Sequence, residues 1–200
     1  MIKEKIIIYS ITEFLEKGSF KTTMDELAKG LKISKKTIYK FFPSKVILLE
    51  KMLNYFQEKV KTELFNIVES DKSKIDKLIE VGSFFAKFSL RMSKTKIIDF
   101  SKNEPKLWKV IDNFRTHVLE HVWEVIIVEG KQEGLIVDKN NKIILTIILS
   151  SLKGIINPSF LTTNNISIKN AFEEIFPILI NGILTEKGRK EFENQEWKIK

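Results

Sequence analysis

Apolar positions along the chain recur mainly at spacings of three and four residues, which is the period of an amphipathic α-helix. Strict apolar/polar alternation is rare, and helix breakers are few, with four prolines and eight glycines in 200 residues. This pattern predicts an all-α chain. Helices are predicted at residues 3–17, 24–29, 35–42, 45–68, 75–91, 96–101, 106–132, 142–156 and 168–185, loops at 129–134, 138–141 and 157–165, and a fraying charged tail at 186–200.

Two short helices near the N-terminus carry clear start signals. Thr23 stands three residues before Glu26, which is the spacing of a capping box at the start of the second helix. Ser34 is a good N-cap for the third helix, and the short turn at residues 31–34 joins the two helices. Two short helices joined in this way are typical of a helix-turn-helix.

The third helix has two different faces. Ile38 and Phe42 lie four residues apart and form an apolar side that is predicted to dock inward. Lys36 and Lys40 have the same spacing on another side, which is predicted to face outward. The surroundings are basic, because residues 29–45 contain six lysines and no acid within a chain of net charge +8. Such a surface is the electrostatic footprint of nucleic-acid binding, although a lysine on a helix is usually just solvated.

Composition removes several classes of site. The chain has no cysteine, which excludes disulfides, thiolate catalysis and zinc sites built on cysteine.

The N-terminal segment is interrupted by Thr12 and Glu13 and lacks a small-residue cleavage site, so it does not resemble a signal peptide. The apolar run at residues 143–149 is far shorter than the roughly 18 residues that indicate a membrane span. The predicted location is the cytoplasm, with no membrane association.

The N-terminal quarter of the chain, including FLEKGSFKTTMDELAKGLKISKKTIYKFFPSKVILLEKML, resembles the DNA-binding domain of the TetR family of bacterial transcription regulators. The positions that carry the resemblance are Gly18, Thr22, Thr23, Leu27, Ala28, Ile33, Ser34, Thr37, Ile38, Tyr39, Phe42, Ser44, Lys45 and Leu48. The resemblance implies a three-helix helix-turn-helix DNA-binding domain at residues 1–47. A long helix would join it to a helical ligand-binding and dimerisation domain at residues 48–200.

Two positions depart from the family pattern. Lys32 stands where the turn usually carries glycine, and a lysine with positive φ there would cost on the order of 1 kcal/mol. Lys36 stands where a small residue is common, which affects how closely the backbone of the third helix can approach DNA.

The basic helix suggests a division of labour on DNA. Lys36 and Lys40 are predicted to reach base edges, with guanine the preferred target, while Lys35 could serve bases or phosphates. The resemblance implies phosphate contacts by Thr37, Tyr39 and Lys45, and Tyr39 could instead be a half-buried packing residue. Free amides at the start of the second helix would favour a further phosphate there. The complete set of predicted DNA contacts is Thr22, Thr23, Ser34, Lys35, Lys36, Thr37, Tyr39, Lys40 and Lys45.

The last two long helices, KIILTIILSSLKGII and AFEEIFPILINGIL, are unusually apolar for the end of a chain. The resemblance implies that they pair with their copies in a four-helix bundle, so that a homodimer presents two recognition helices to a palindromic operator. The alternative is that they close the core of one subunit.

The two histidines of the chain lie together in HVLEH. His117, Glu120 and His121 fit the H-x-x-E-H pattern of a zinc peptidase, and their spacing places them on one helical face. They could equally be packing or surface residues, or line a cavity for an organic ligand, since aromatic residues surround them. The candidate ligand-binding set is Phe84, Phe85, Phe88, Arg91, Trp108, Asn113, Phe114, His117, His121 and Trp123.

The sequence therefore favours a homodimeric transcriptional regulator, a repressor that a small hydrophobic effector releases from double-stranded DNA. No catalytic residue, metal or cofactor beyond that organic effector is predicted. The alternative is a helical protein that binds DNA non-specifically, or a metal-dependent enzyme that uses the histidine motif.

Overall fold

The computed structural model of the chain describes residues 2–18, 21–91 and 94–194, without the side chains of residues 88–91, 94 and 96. Within these ranges the chain forms helices α1 Ile2–Lys17, α2 Met24–Gly30, α3 Lys35–Phe41, α4 Lys45–Val68, α5 Lys74–Arg91, α6 Lys94–Asn103, α7 Pro105–Gln132, α8 Asn141–Ile155, α9 Pro158–Thr163, α10 Ile168–Ile183 and α11 Glu186–Glu193. Extended pairing in this described part is limited to an isolated bridge between Ile136 and Leu184. The predicted all-α fold is confirmed.

Two compact units divide the chain, one formed by Met1–Val60 with Thr95–Asp112, the other by Lys61–Lys94 with Asn113–Lys200. The sequence predicts a boundary between a DNA-binding domain and a ligand-binding domain after residue 47. That boundary is defined by function, and it stays a prediction. Among the residues described, no helix combines the length and the apolar character needed to cross a membrane.

The first unit is built around the helix-turn-helix. Ile38 and Phe42 have no exposed surface, so the apolar side of α3 docks as its spacing predicts. They share one core with residues of α1, α2, α4 and α7. Burying one large apolar side chain stabilises a fold by about 1.5–3 kcal/mol, so this packing holds the orientation of α3.

The predicted helix starts are present in this unit. The Thr23 amide donates to a Glu26 carboxylate oxygen at 2.8 Å, and the Glu26 amide donates to Thr23 Oγ1 at 3.2 Å, which completes the capping box. Ser34 Oγ accepts from the Thr37 amide at 3.0 Å and Ser44 Oγ accepts from the Ile47 amide at 3.2 Å. Each bond satisfies a backbone donor that the helix itself leaves unpaired.

The turn between α2 and α3 is a Schellman motif. The Lys32 amide donates to the Lys29 carbonyl at 3.1 Å, and the Ile33 amide donates to the Ala28 carbonyl at 3.0 Å. This pattern requires a left-handed residue, and Lys32 has a φ of 55°. The lysine therefore occupies the conformation that glycine adopts without strain.

In the second unit, α10 packs against both α5 and α8. The core residues of α7 and α10 include Val122, Trp123, Ile127, Phe176 and Ile180, all at most 2% exposed. α10 buries a stripe that recurs every three or four residues, as an amphipathic helix does.

A cluster of charges ties α5 to α7. The Lys77 side chain is only 3% exposed, and its Nζ lies 3.0 Å from a Glu129 carboxylate oxygen. Lys74 Nζ lies 2.9 Å from the same oxygen and 3.8 Å from Glu133. The hydrogen bond from Lys74, followed by the one from Lys77, lowers the pKa of Glu129. The carboxylate is therefore held in its charged form.

Short helices were missed by the periodicity. The predicted loop at 157–165 contains α9, which Asn157 caps by accepting from the Phe160 amide at 3.0 Å. The predicted fraying of the tail was wrong at Glu186–Glu193, because α11 is capped by Thr185, whose Oγ1 accepts from the Gly188 amide at 3.1 Å. The predicted loop at 129–134 was wrong at its start, since α7 continues to Gln132. Helices of one or two turns, such as α9 and α11, contain too few apolar positions for a spacing of three and four residues to be recognised.

Candidate nucleic-acid interface

The outward side of α3 is exposed and basic. Lys35, Lys36, Tyr39 and Lys40 are all exposed, whereas Ile38 between them is fully buried. The alternative that Tyr39 packs inside is not supported, since 39% of its surface is exposed. Residues three and four apart share a face of a helix, so the lysines and the tyrosine form one continuous cationic surface with an aromatic ring.

Lys35 has a partner that the sequence did not indicate. Its Nζ lies 2.7 Å from Asp25 Oδ1 and 2.8 Å from Oδ2, so an ion pair joins the first turn of α3 to the first turn of α2. The hydrogen bond to Asp25 raises the pKa of Lys35. The same Nζ lies 6.0 Å from the centre of the Tyr39 ring, which is the outer limit of a cation–π contact.

The two threonines before α2 differ in accessibility. Thr22 has no exposed surface and its hydroxyl donates to the Gly18 carbonyl at 3.0 Å, whereas Thr23 is exposed. The Thr23 amide donates to Glu26, as the predicted capping box requires, so it is not among the free amides that could hold a phosphate at the start of α2. Asp25 and Glu26 also place two carboxylates in the first turn, and these oppose the approach of a phosphate.

Ser34 and Thr37 form a local pair at the start of α3. Their hydroxyl oxygens lie 2.8 Å apart, and Ser34 also caps the helix. Ser34 is exposed and Thr37 is half-buried. Their polar atoms therefore lie at the edge of the cationic surface, with their hydroxyls already engaged with each other.

Lys45 is the first residue of α4 and is half-buried. Its Nζ lies 5.8 Å from the centre of the Phe14 ring. Burial lowers the pKa of Lys45, an effect that the nearby carboxylates of Glu104 and Glu26 partly offset. An anion placed beside this ammonium would compensate for the solvent that it has lost.

An aromatic row runs through the second unit. The rings of Phe84 and Phe85 meet edge to face at 5.2 Å, and Phe85 lies 6.2 Å from Phe172. Phe172 stacks on Phe176 at 5.3 Å. Two of the predicted ligand residues thus belong to a row that links α5 and α10, and the sequence missed the two partners on α10.

The histidines occupy different environments. His117 is exposed and its Nδ1 lies 2.7 Å from the Asn113 carbonyl one turn earlier. His121 is half-buried, with its ring centre 4.3 Å from that of Phe65, and its Nε2 is buried without a hydrogen-bond partner. Over the part of the chain that is described, His, Asp and Glu residues form no group of three or more suited to a metal ion. The alternative of a zinc site at His117, Glu120 and His121 therefore has no support from these residues.

The other predicted ligand residues are dispersed. Trp108 lies in the first unit, while Phe114 is half-buried and Trp123 is buried in the second. The side chains of Phe88 and Arg91 lie outside the described residues. A groove of about 260 Å³ between α7 and α8 is lined by none of the predicted set; its residues are Arg115, Thr116, Leu119, Glu120, Thr146, Leu149, Ser150, Leu152 and Lys153.

Exposed apolar residues lie on α8 and α10, two helices that pack on each other. The name α8/α10 face is used for Ile143, Ile147 and Gly154 of α8 together with Ile178 and Gly182 of α10. The isoleucines are 58%, 54% and 71% exposed in chain order. A Cβ added at either glycine would meet no atom within 4 Å. Large apolar side chains beside open glycines are suited to contact with another apolar surface.

The comparisons with known proteins agree with the helix-turn-helix. Residues 10–52 match the sequence model of the tetR family of bacterial regulatory proteins. The HTH-type transcriptional regulator YuxN of Bacillus subtilis (strain 168) is 47% identical over 66 residues, which are 32% of this chain and 23% of YuxN. The match thus spans less than a quarter of that relative.

Two solved structures share the fold over most of the chain. A transcriptional regulator from Saccharomonospora viridis, in complex with choline, has a TM-score of 0.71 at 13% identity and spans 92% of this chain and 98% of its own. FadR from Bacillus subtilis, in complex with stearoyl-CoA, has a TM-score of 0.60 at 16% identity and spans 90% and 98%. At such identities the similarity shows the fold alone. The N-terminal match at residues 10–52 is therefore to the tetR family of bacterial regulatory proteins, and the solved structures share the all-helical fold over most of the chain.

Proposed function

We propose that the protein is a sequence-specific transcriptional repressor that binds a palindromic operator as a homodimer and is released by a small organic ligand. The observation that carries this proposal is the α3 surface, where an exposed lysine and tyrosine side lies opposite a fully buried apolar side. A rigid helix with outward donors is what major-groove recognition needs. Such a protein would act in the cytoplasm, where bacterial DNA lies, and we assign it no catalytic role.

In this proposal the α3 residues divide the work. Lys36 and Lys40 read base edges, while Thr37, Tyr39 and Lys45 hold phosphates. Lys45 is suited to a phosphate because an anion would offset its lost hydration, whereas Lys40 is exposed on the recognition side. Thr22 contributes through packing at the start of α2, since its side chain is buried.

The division can be tested with Lys40→Ala and Lys45→Ala. Lys45→Ala should weaken binding to every duplex and reduce the salt slope by about 0.9 per subunit, because one phosphate contact is lost. Lys40→Ala should instead change sequence preference, at a cost of about 1–3 kcal/mol on the best site. Titration of specific and random duplexes at several salt concentrations measures both effects. Equal losses from both variants on all duplexes would contradict the assignment.

Sequence specificity itself needs a separate experiment. Selection of bound duplexes from a random pool should enrich a palindrome whose half-sites lie about one helical turn of DNA apart, or a multiple of it. Retention of DNA without enrichment would leave only non-specific binding.

We assign dimerisation to the α8/α10 face. Full burial of an isoleucine is worth about 1.5–3 kcal/mol, so covering Ile178 from 71% exposed would contribute roughly 1–2 kcal/mol per subunit. Ile178→Asp should therefore give a monomer by sedimentation at micromolar concentration. Val128→Asp is the control, because Val128 is also exposed, at 38%, but lies outside this face. Dimers of equal strength in both variants would refute the assignment.

The effector is proposed to be hydrophobic and to bind in the second unit beside the Phe84–Phe85 row. The aromatic contacts described above support this, and two proteins of the same fold hold choline and stearoyl-CoA. For release, the ligand must bind the DNA-free conformation more tightly than the bound one. A panel of quaternary amines and acyl-CoA esters can be screened for lower operator affinity. Compounds that stabilise the protein thermally without changing operator affinity would contradict the release step.

A further inference from the structure

The ion pair between Asp25 and Lys35 places a negative charge within the proposed DNA surface. The two side chains are 62% and 58% exposed, so the pair lies at the surface and not in the core. Residues 27–49 contain no acid, and Glu26 is engaged with Thr23 in the capping box. Asp25 is therefore the carboxylate that faces the start of α3.

The position of the pair explains why it forms. The first turn of α3 carries Lys35 and Lys36 and no acid, an arrangement that the positive end of the helix dipole disfavours. Asp25 lies in the first turn of α2, where the dipole favours a carboxylate. The ion pair thus offsets the repulsion between Lys35 and the positive end of the α3 dipole. Asp25 at the same time keeps its favourable position at the positive end of the α2 dipole.

The pair also competes with DNA. A phosphate that approaches Lys35 competes with Asp25 for the same ammonium, and a carboxylate repels phosphates within a screening length of about 8 Å at physiological salt. We propose that Asp25 is a specificity-determining positioning residue, which keeps Lys35 from adding sequence-independent affinity for the DNA backbone. Binding then depends on the base-reading lysines and on Lys45. This inference rests on the proposed function.

The experiment compares the wild-type protein with D25N, K35Q and D25N/K35Q on a random duplex over a range of salt concentrations. D25N should tighten binding about two- to fivefold per subunit, which is the factor that corresponds to an exposed ion pair. It should also steepen the salt slope by about 0.9 per subunit, because Lys35 gains a phosphate. K35Q should change the slope little when Asp25 is present, but should remove the gain in the D25N background.

E50Q is the matched control, because Glu50 is an exposed acid of α4 in the same unit and its replacement changes net charge by the same amount. The slope should be steeper in D25N than in E50Q. Two results would overturn the inference. In the first, K35Q would reduce the salt slope by the same amount whether Asp25 is present or replaced. In the second, D25N would steepen the salt slope as much in the K35Q protein as in the wild type. Failure of every variant and of the wild type to bind any duplex would instead refute the proposed function.

Discussion

The left-handed lysine in the helix-turn-helix offers a direct test of the backbone geometry. Lys32 has a φ of 55° and both hydrogen bonds of a Schellman motif. The same arrangement follows α7 and α9, where the left-handed residues are Gly134 and Asn165, with φ of 69° and 52°. Glycine and asparagine adopt this backbone conformation at a lower energetic cost than lysine does. Replacement of Lys32 by glycine should therefore stabilise the fold.

The magnitude follows from two opposing terms. Left-handed backbone costs a residue with a Cβ roughly 1–2 kcal/mol. Glycine loses about 0.5–1 kcal/mol more conformational entropy on folding. Lys32→Gly should thus raise the free energy of unfolding by about 0.5–1 kcal/mol, the difference between these terms. In a chain of 200 residues this corresponds to a rise in Tm of roughly 1–4 °C.

Lys32→Ala is the matched variant, because it removes the same charge and keeps the Cβ. Urea denaturation followed by circular dichroism should place Lys32→Gly above Lys32→Ala by the difference estimated above. Both variants should show the same change in the salt dependence of DNA binding, since both lose one exposed cation. Equal stabilities of the two variants would show that the turn carries no strain at this residue, and would refute the reasoning.

Two further changes test the packing of the second unit. Glu129→Gln should lower the free energy of unfolding, measured by urea titration, by about 2–3 kcal/mol, because the buried Lys77 ammonium loses its counter-charge. Glu133→Gln is the control: it removes a more exposed ion pair and should lower the free energy of unfolding by less than about 0.5 kcal/mol. Because the pKa of Glu129 is lowered, its stabilisation is complete above its ordinary pKa of 4.5 and is lost as pH falls through the folded-state pKa. The Glu129→Gln variant should therefore lose less stability than the wild type when the pH is lowered. If both proteins lost the same stability in acid, the ion pair between Glu129 and Lys77 would not contribute as described. Gly188→Ala should cost about 1–3 kcal/mol, because the added Cβ would lie 2.2 Å from the Leu135 carbonyl oxygen; an unchanged thermal midpoint would show that α11 does not pack there as described.

Local chemistry was sufficient for much of the first unit. The capping box of Thr23 and Glu26 and the Ser34 cap involve residues three apart, so their geometry is encoded in short spacings. The buried side of α3 follows from the four-residue spacing of Ile38 and Phe42. The family resemblance includes Thr23, Ser34, Ile38 and Phe42, which is why the sequence identified the helix-turn-helix and pointed to Lys32 in its turn.

Long-range contacts decided what spacing could not indicate. Asp25 and Lys35 are ten residues apart and meet only because α2 packs on α3. Thr22 and Thr23 are alike in sequence, yet burial leaves one without exposed surface and makes the other a cap. Phe172 was missed beside Phe85 because α5 and α10 are far apart in the chain.

The sequence by itself therefore determined the all-α class, most long helices and the helix-turn-helix, because backbone capping and amphipathic period act within one or two turns. Only the tertiary structure decided which lysine is paired, which threonine is buried and which apolar face stays uncovered. Those outcomes depend on how helices pack against one another, since solvent access and ion pairing between distant residues exist only once the chain has folded.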